Sequence, residues 1–223
     1  MLMGGGAYRL GHQDIDSGQF QEQRGVLAGC GAALLASRSA FEAVGGMDED
    51  FFAYLDDIDL CLRMQLAGYS GMYVPEAVGY HVGSATLGTP VHPKIIYWMT
   101  RNQIFLIVKN YPFPVLLRLL PRIAVYQVLW FALSVKRRAV AGYFAGLGRA
   151  ILALPKMLAQ RRKIMRARTI SNRDFIHLLR ESEQQIYDWH QQRSPESRAA
   201  LLKIYFWIFG SPATAAARRD RQT

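Results

Sequence analysis

Gly45-Gly46-Met47-Asp48-Glu49-Asp50-Phe51-Phe52-Ala53-Tyr54-Leu55-Asp56-Asp57-Ile58-Asp59-Leu60-Cys61-Leu62-Arg63 is the stretch on which the fold turns. Six carboxylates fall between Asp48 and Asp59 with no Lys or Arg among them. Like charges this dense repel one another unless something offsets them. Three readings compete. Aspartates at a helix start satisfy free backbone N–H groups and suit the helix dipole. A calcium loop of the EF-hand kind would need a third oxygen ligand and a glycine that Asp57-Ile58-Asp59-Leu60-Cys61 lacks. A carboxylate pair beside a pocket can serve as a general base, one residue taking a proton while its neighbours tune it. Composition alone leaves these open.

The flanks give the local structure. Ser39-Ala40-Phe41-Glu42 has the capping-box pattern of a short helix, which Gly45-Gly46 would end in left-handed conformations. A second helix is expected from near Asp56 through Leu60, Arg63 and Leu66 to Gly68, with Asp59 and Arg63 spaced as an i, i+4 pair. A brief strand, Met72-Tyr73-Val74, closes at Pro75.

Further upstream, the opening stretch to Arg24 has no sustained period and reads as loop. Val26 to Ser37 (VLAGCGAALLAS) reads as a buried strand whose glycines admit a close neighbour, a ligand among the candidates. Cys30 and Cys61 have no metal or redox spacing and are expected as buried thiols, which fits a reducing compartment. Downstream, His81 falls at a strand-to-loop transition where its side chain can reach a site. Asp57 and His81, with phosphate oxygens, would suit manganese or magnesium. Val82 to Pro93 is expected as a boundary loop between a unit at 1–92 and another at 93–223. From Lys94 onward the composition is helical, punctuated at Pro112, Pro121, Pro155 and Pro195. No internal repeat is found.

The charge is split between these two parts. Residues 1–100 hold five Lys/Arg against eleven Asp/Glu, whereas residues 101–223 hold twenty-two against six. A basic half can face nucleic acid or an anionic membrane. Lys136-Arg137-Arg138 and Arg161-Arg162-Lys163 sit beside greasy runs such as Ile123 to Val135 and Leu201 to Phe209, and no nucleic-acid motif accompanies them. The membrane surface is the expected partner, and nucleic acid is not. Lys109, Pro112, Pro114, Arg118, Pro121 and Arg122 interrupt the apolar runs, so none reaches the ~20 residues of a span, and attachment in the membrane plane is expected. Met1-Leu2-Met3 leads directly into Gly4-Gly5-Gly6 without a signal-peptide pattern, so nothing marks the chain for export, and a cytoplasmic location on the inner face of the membrane is expected. The bland reading of the extension is a helical subdomain or dimer interface.

The quoted stretch resembles the signature of family 2 glycosyltransferases. Gly68-Tyr69, then Val74-Pro75-Glu76-Ala77-Val78, then Tyr80-His81-Val82-Gly83-Ser84 continue that pattern in order and spacing. Asp16-Ser17-Gly18-Gln19-Phe20 and Gly29-Cys30-Gly31-Ala32-Ala33-Leu34-Leu35 are similar to the segment leading into the acceptor site of rhamnosyltransferase-like members. Arg101-Asn102 and Lys109-Asn110-Tyr111-Pro112 resemble their helical extension.

The resemblance implies an α/β fold: the C-terminal half of a GT-A, Rossmann-like domain followed by a mainly α-helical, membrane-associated extension. It implies inverting transfer from a nucleoside-diphosphate sugar to a glycan or lipid-linked acceptor, with a divalent cation, Mn or Mg. By the same likeness Asp57 is the base, with Asp56 in place of the usual Glu. His81 is a metal ligand, and Gly29, Gly31, Ala32 and Asp48 bind substrate. The donor-binding half has no counterpart here, because Asp14-Ile15-Asp16 has the letters of the metal-holding Asp-x-Asp but follows no βα units. The rival from another class is a noncatalytic, membrane-associated binding module.

Overall fold

The structure, a computed structural model, describes residues 1–12, 14–81, 93–194 and 199–212. Pro195 and nearly all of the expected boundary loop, including Gly83-Ser84, lie outside the described residues. The chain is mostly helical with one small sheet. In order, the elements are β1 (Arg24–Val26), a 3-10 turn (Gly31–Ala33), α1 (Arg38–Ala43), α2 (Asp56–Leu66) and β2 (Gly71–Tyr73). There follow α3 (Pro93–Asn110), α4 (Phe113–Lys136), α5 (Val140–Leu152), α6 (Leu154–Ala167), α7 (Asn172–Gln192) and α8 (Ala200–Phe209).

The acidic stretch folds much as its pattern requires. Gly45 and Gly46 adopt φ of 84° and 67°, conformations that cost an L-residue with a side chain, and so turn the chain out of α1. α2 spans Asp56–Leu66 and buries Leu60, Cys61, Leu62 and Leu66 along one side. β1 and β2 pair antiparallel with Gly25 opposite Met72, and Gln65 ties α2 to this ribbon by donating to the Val26 carbonyl at 3.0 Å.

Four expectations are corrected. Val26 to Ser37 is not a buried strand: β1 ends at Val26, and the chain then runs as an irregular loop around the 3-10 turn, with exposed residues from Cys30 to Leu35. A run of small residues with two glycines has too little side chain to bury as a strand. Cys30 is accordingly exposed, whereas Cys61 is buried as expected. The cap of α1 is Ser37 rather than Ser39; its hydroxyl accepts from the Ala40 N–H at 3.2 Å, while Glu42 pairs with Arg38 at 2.7 Å.

The fourth correction concerns α4, which continues through Pro121. Proline removes one helical hydrogen bond, but Leu117, whose carbonyl loses its donor, and Pro121 are both exposed, so solvent can satisfy it. By length and composition α4 is therefore long and apolar enough to cross a membrane, and 22% of its most apolar window is buried in the protein.

Two hydrophobic cores meet along the helical part. One gathers Leu62, Leu66, Phe105, Leu106, Val115, Met157, Phe175 and Leu179 from α2, α3, α4, α6 and α7, with Tyr111 from the link between α3 and α4. The other gathers Ile96, Tyr126, Trp130, Ile186, Leu202, Tyr205 and Phe206. The opening segment has no helix or strand among its described residues, as expected, but its start is buried: Met1 and Met3 enter the first core and Leu2 the second. Buried Glu183 joins it to the helices, accepting from the Met3 N–H at 2.6 Å, Arg122 at 2.5 Å and the Tyr205 hydroxyl at 3.0 Å. α5 lies hard against α3 because Gly146 has no side chain. A Cβ there would stand 2.5 Å from the Tyr97 carbonyl oxygen.

Candidate functional site around Asp56 and Asp57

The site rests on a strained turn. Phe52, Tyr54 and Leu55 have φ of 61°, 68° and 66°, a left-handed conformation that costs each about 1–3 kcal/mol. Such a turn persists only if its surroundings hold it, and α3 does so. The Asn102 amide nitrogen lies 3.0, 2.8 and 2.7 Å from the carbonyl oxygens of Phe51, Ala53 and Tyr54. Arg101 donates to the carbonyls of Asp50 at 2.9 Å and Phe51 at 2.7 Å. Trp98 covers the outside, its ring 5.3 Å from Phe52 and 6.2 Å from Tyr54, and Phe51 anchors the inside against Phe105 at 5.8 Å. The turn fixes where α2 begins, and so where Asp56 and Asp57 stand.

Residues two apart on a helix point about 200° apart, so Asp57 and Asp59 leave α2 on opposite sides. Asp57 turns to the loop after β1. Its Oδ2 accepts from the Gly31 N–H at 2.8 Å, and its Oδ1 from the Ile58 N–H at 2.8 Å. Each carboxylate oxygen has a second acceptor site, so both remain able to take a hydroxyl proton. Asp56 is half-buried; loss of solvation, then the charges of Asp57 and Asp59, outweigh its backbone hydrogen bonds and raise its carboxyl above the usual range.

Asp59 turns inward and is fully buried. Arg63 donates to it at 2.9 Å, which is the expected i, i+4 pair. Lys109 reaches it at 2.9 Å and Asn110 at 2.8 Å. Lys109 also meets Asp48. Burial opposes the Asp48 charge, but the Lys109 hydrogen bond and charge, the Asp50 N–H and Arg63 prevail and hold its carboxyl below the usual range. Asp50 is bridged by Lys156 at 2.6 Å and Gln160 at 3.2 Å. Five of the six carboxylates thus divide: Asp48 and Asp59 enter a buried ionic network, Asp50 ties down α6, and Asp56 and Asp57 stand in the first turn of α2.

The other anticipated site residues are scattered around this centre. Gly31 touches Asp57 directly. Gly29 shares its loop and makes a backbone hydrogen bond with the Cys61 thiol, which burial pushes up in pKa. Ala32 follows in the exposed 3-10 turn. Asp48 faces Lys109 rather than Asp57. His81 is exposed, and no hydrogen bond or ion pair among the described residues joins it to either aspartate. Among the described residues no three His, Cys, Asp or Glu side chains converge as a metal centre would require.

The sequence pattern assigns Arg101, Asn102 and Lys109 no role at the site. Their signal was present: polar residues inside an otherwise apolar helix, with Asn102 and Lys109 seven apart and therefore on one face.

The model of the family described as glycosyl transferase family group 2 matches residues 6–154. N-acetylglucosaminyl-diphospho-decaprenol L-rhamnosyltransferase of Mycobacterium tuberculosis (strain CDC 1551 / Oshkosh) is 49% identical over 51 residues, 23% of this chain and 17% of that protein. Rhamnosyltransferase WbbL of Escherichia coli (strain K12) is 45% identical over 51 residues, 23% of this chain and 19% of its own length. Uncharacterized protein y4gI of Sinorhizobium fredii (strain NBRC 101917 / NGR234) is 41% identical over 69 residues, 30% of this chain and 7% of its own. The chain thus spans less than a fifth of the curated relatives it matches. No solved structure matches it significantly.

Proposed function

Because the chain belongs to glycosyl transferase family group 2, we propose that it forms the acceptor side of an inverting, rhamnosyltransferase-like enzyme, with Asp57 as the catalytic base. The donor is a nucleoside-diphosphate sugar. The acceptor is a glycan or a lipid-linked saccharide, a class suggested by the decaprenol-linked substrate in the name of the mycobacterial relative. The acceptor oxygen forms its bond to the anomeric carbon as the bond from that carbon to the nucleoside diphosphate breaks. Asp57 takes the hydroxyl proton during that attack, because a free alkoxide is too basic to form beforehand at neutral pH. Base catalysis of this kind contributes about 100- to 10,000-fold.

The observation that carries this reading is the fixing of the Asp57 carboxylate by the Gly31 N–H at 2.8 Å, on a strained turn clamped by Arg101 and Asn102. Preorganisation of a proton acceptor is what such a construction provides. Family members commonly use a divalent cation, but the described residues alone do not compose a site for one, and no step here runs through it.

The extension is proposed to hold the site at the cytoplasmic face of the cell membrane, lying in the membrane plane. α4 buries Val115, Leu119, Tyr126 and Trp130 on one face and exposes Phe113, Leu117, Leu120 and Val128 on another. One-sided apolar exposure beside basic residues suits an interface better than a span.

Asp57→Asn, expressed with its in-frame flanking sequence, tests the assignment. Asn can still accept from Gly31 but cannot take a proton. Transfer should fall about 100-fold or more with donor binding retained; unchanged turnover would sink the role.

A further inference from the structure

No Asp or Glu occurs between Glu76 and Asp174, so α5 and α6 carry cations with no acids of their own. The two helices lie in succession along α3. α5 rests on its first turns, where a Cβ at Gly142 would stand 2.7 Å from the Pro93 carbonyl oxygen. α6 reaches its far end, where Arg161 donates to the Val108 carbonyl at 2.8 Å. Ala153 between them stays in the right-handed helical region, with φ of −88° and ψ of −4°, so one outer face runs through both.

That face changes character along its length. Phe144, Ile151 and Leu158 recur every seven residues, which sets them on one side, and all three are exposed, as is Leu152. Arg149, also exposed, stands about 140° from Phe144 around α5. Beyond Leu158 the exposed residues turn basic: Arg162, Lys163 and Arg166. Lys156 is paired with Asp50 at 2.6 Å and Arg161 with Val108, but these three make no hydrogen bond or ion pair among the described residues. Arg162 and Arg166 are four apart, so their like charges oppose each other on the helix unless an anion lies over them.

We propose that this face is a docking surface for anionic phospholipid. Phe144, Ile151, Leu152 and Leu158 enter the acyl boundary, and Arg162, Lys163 and Arg166 meet the headgroup phosphates. The gradient selects lipid over nucleic acid, which offers phosphates to the basic end and nothing to the apolar end. A bilayer surface offers both. From Phe144 to Arg166 the face is about 33 Å long. This docking rests on the membrane attachment proposed above and is independent of Asp57; it adds the lipid class and the helices that read it. The inner side of α6 holds Asp50 through Lys156 and through Gln160 at 3.2 Å, so one helix joins the lipid surface to the turn that precedes Asp56.

Binding of the full chain to vesicles of phosphatidylcholine, alone or mixed with phosphatidylglycerol, tests this. The variants are Arg162→Gln with Arg166→Gln, and Leu152→Gln with Leu158→Gln, each checked for folding by circular dichroism. The wild type should bind the anionic vesicles at least about 25-fold more tightly than the neutral ones, because each basic residue at an anionic surface contributes about fivefold. The arginine variant should lose about 25-fold on anionic vesicles and nothing on neutral ones, and the leucine variant should weaken on both. Equal wild-type affinity for the two vesicle types would overturn the docking surface while leaving attachment of the extension intact. So would an arginine variant that matches the wild type on anionic vesicles, or a leucine variant unchanged on both. Binding of a short DNA duplex as tight as that of anionic vesicles would overturn the choice of lipid. Binding to neither kind of vesicle would overturn the attachment as well.

Discussion

Lys109 Nζ and Asp59 Oδ1 lie 2.9 Å apart, and both side chains are almost wholly removed from solvent. This contact joins α2 to α3, in the helix whose first turn carries the half-buried Asp56 and Asp57. Asp48, Arg63 and Asn110 complete it, so each buried charge has a partner of opposite sign or a hydrogen-bond donor. The acidic sequence is tolerated because α3 supplies the missing cation from 50 residues away.

Lys109→Met removes that cation and leaves two carboxylates to share Arg63 and Asn110. Breaking a buried pair from one side typically costs about 3–5 kcal/mol. The urea midpoint should fall accordingly. Adding Asp59→Asn to Lys109→Met should recover part of the loss, since the orphaned charge is then gone. Equal stability of the wild type and Lys109→Met would refute the network.

Asp48 and Asp56 should give opposite pH dependences. The Asp48 carboxyl is lowered in the folded state, so its contribution is complete above the unfolded value near ~3.9 and is lost as pH falls through the lower folded value. Asp48→Asn is therefore destabilising at pH 7, by about 1–3 kcal/mol, and converges with wild type in acid. The Asp56 carboxyl is raised, so its cost appears as pH climbs from the unfolded value through the folded one. Asp56→Asn should gain stability at pH 7, under about 1 kcal/mol after solvent screening, and none in acid. Denaturant titrations at several pH values measure both.

Asn102→Asp is nearly isosteric but exchanges an amide donor for a carboxylate facing three carbonyl oxygens. Loss of the clamp and the new repulsion should cost about 3 kcal/mol or more and let the turn at Phe52 to Leu55 relax. Amide exchange at Ala53 to Asp57 should accelerate ahead of global unfolding. Exchange rising uniformly through the protein would separate Asn102 from the turn.

Much of this was legible because it is local. The boundaries of α2, the turn at Gly45-Gly46 and the Asp59–Arg63 pair follow from spacing over a few residues. The loop from Leu27 to Ser37 was misread because a short apolar run of small residues does not distinguish a strand from a loop resting on a helix. The clamp of Arg101 and Asn102, and the separation of Asp59 from Asp57, depend on how α3 lies against α2. No local pattern in either helix specifies that approach.

The exposed apolar face of the extension leads to a last expectation. Trp207 is 85% exposed on α8, with Ile204 and Ile208 beside it, while Leu202, Tyr205 and Phe206 on the same helix are buried. Phe144, Ile151 and Leu152 on α5 are likewise exposed. Indole rings favour the boundary between headgroups and acyl chains, and basic residues near an anionic surface add about 1 kcal/mol each, screened by salt. Trp207→Glu would place a carboxylate on that face without disturbing the buried one, so folding should be preserved by circular dichroism. In flotation with vesicles of phosphatidylglycerol and phosphatidylcholine, the wild type should rise with the lipid at low salt and less at high salt. Trp207→Glu should lose most of that fraction. A wild type that stays at the bottom under both conditions would show that these helices face something other than lipid.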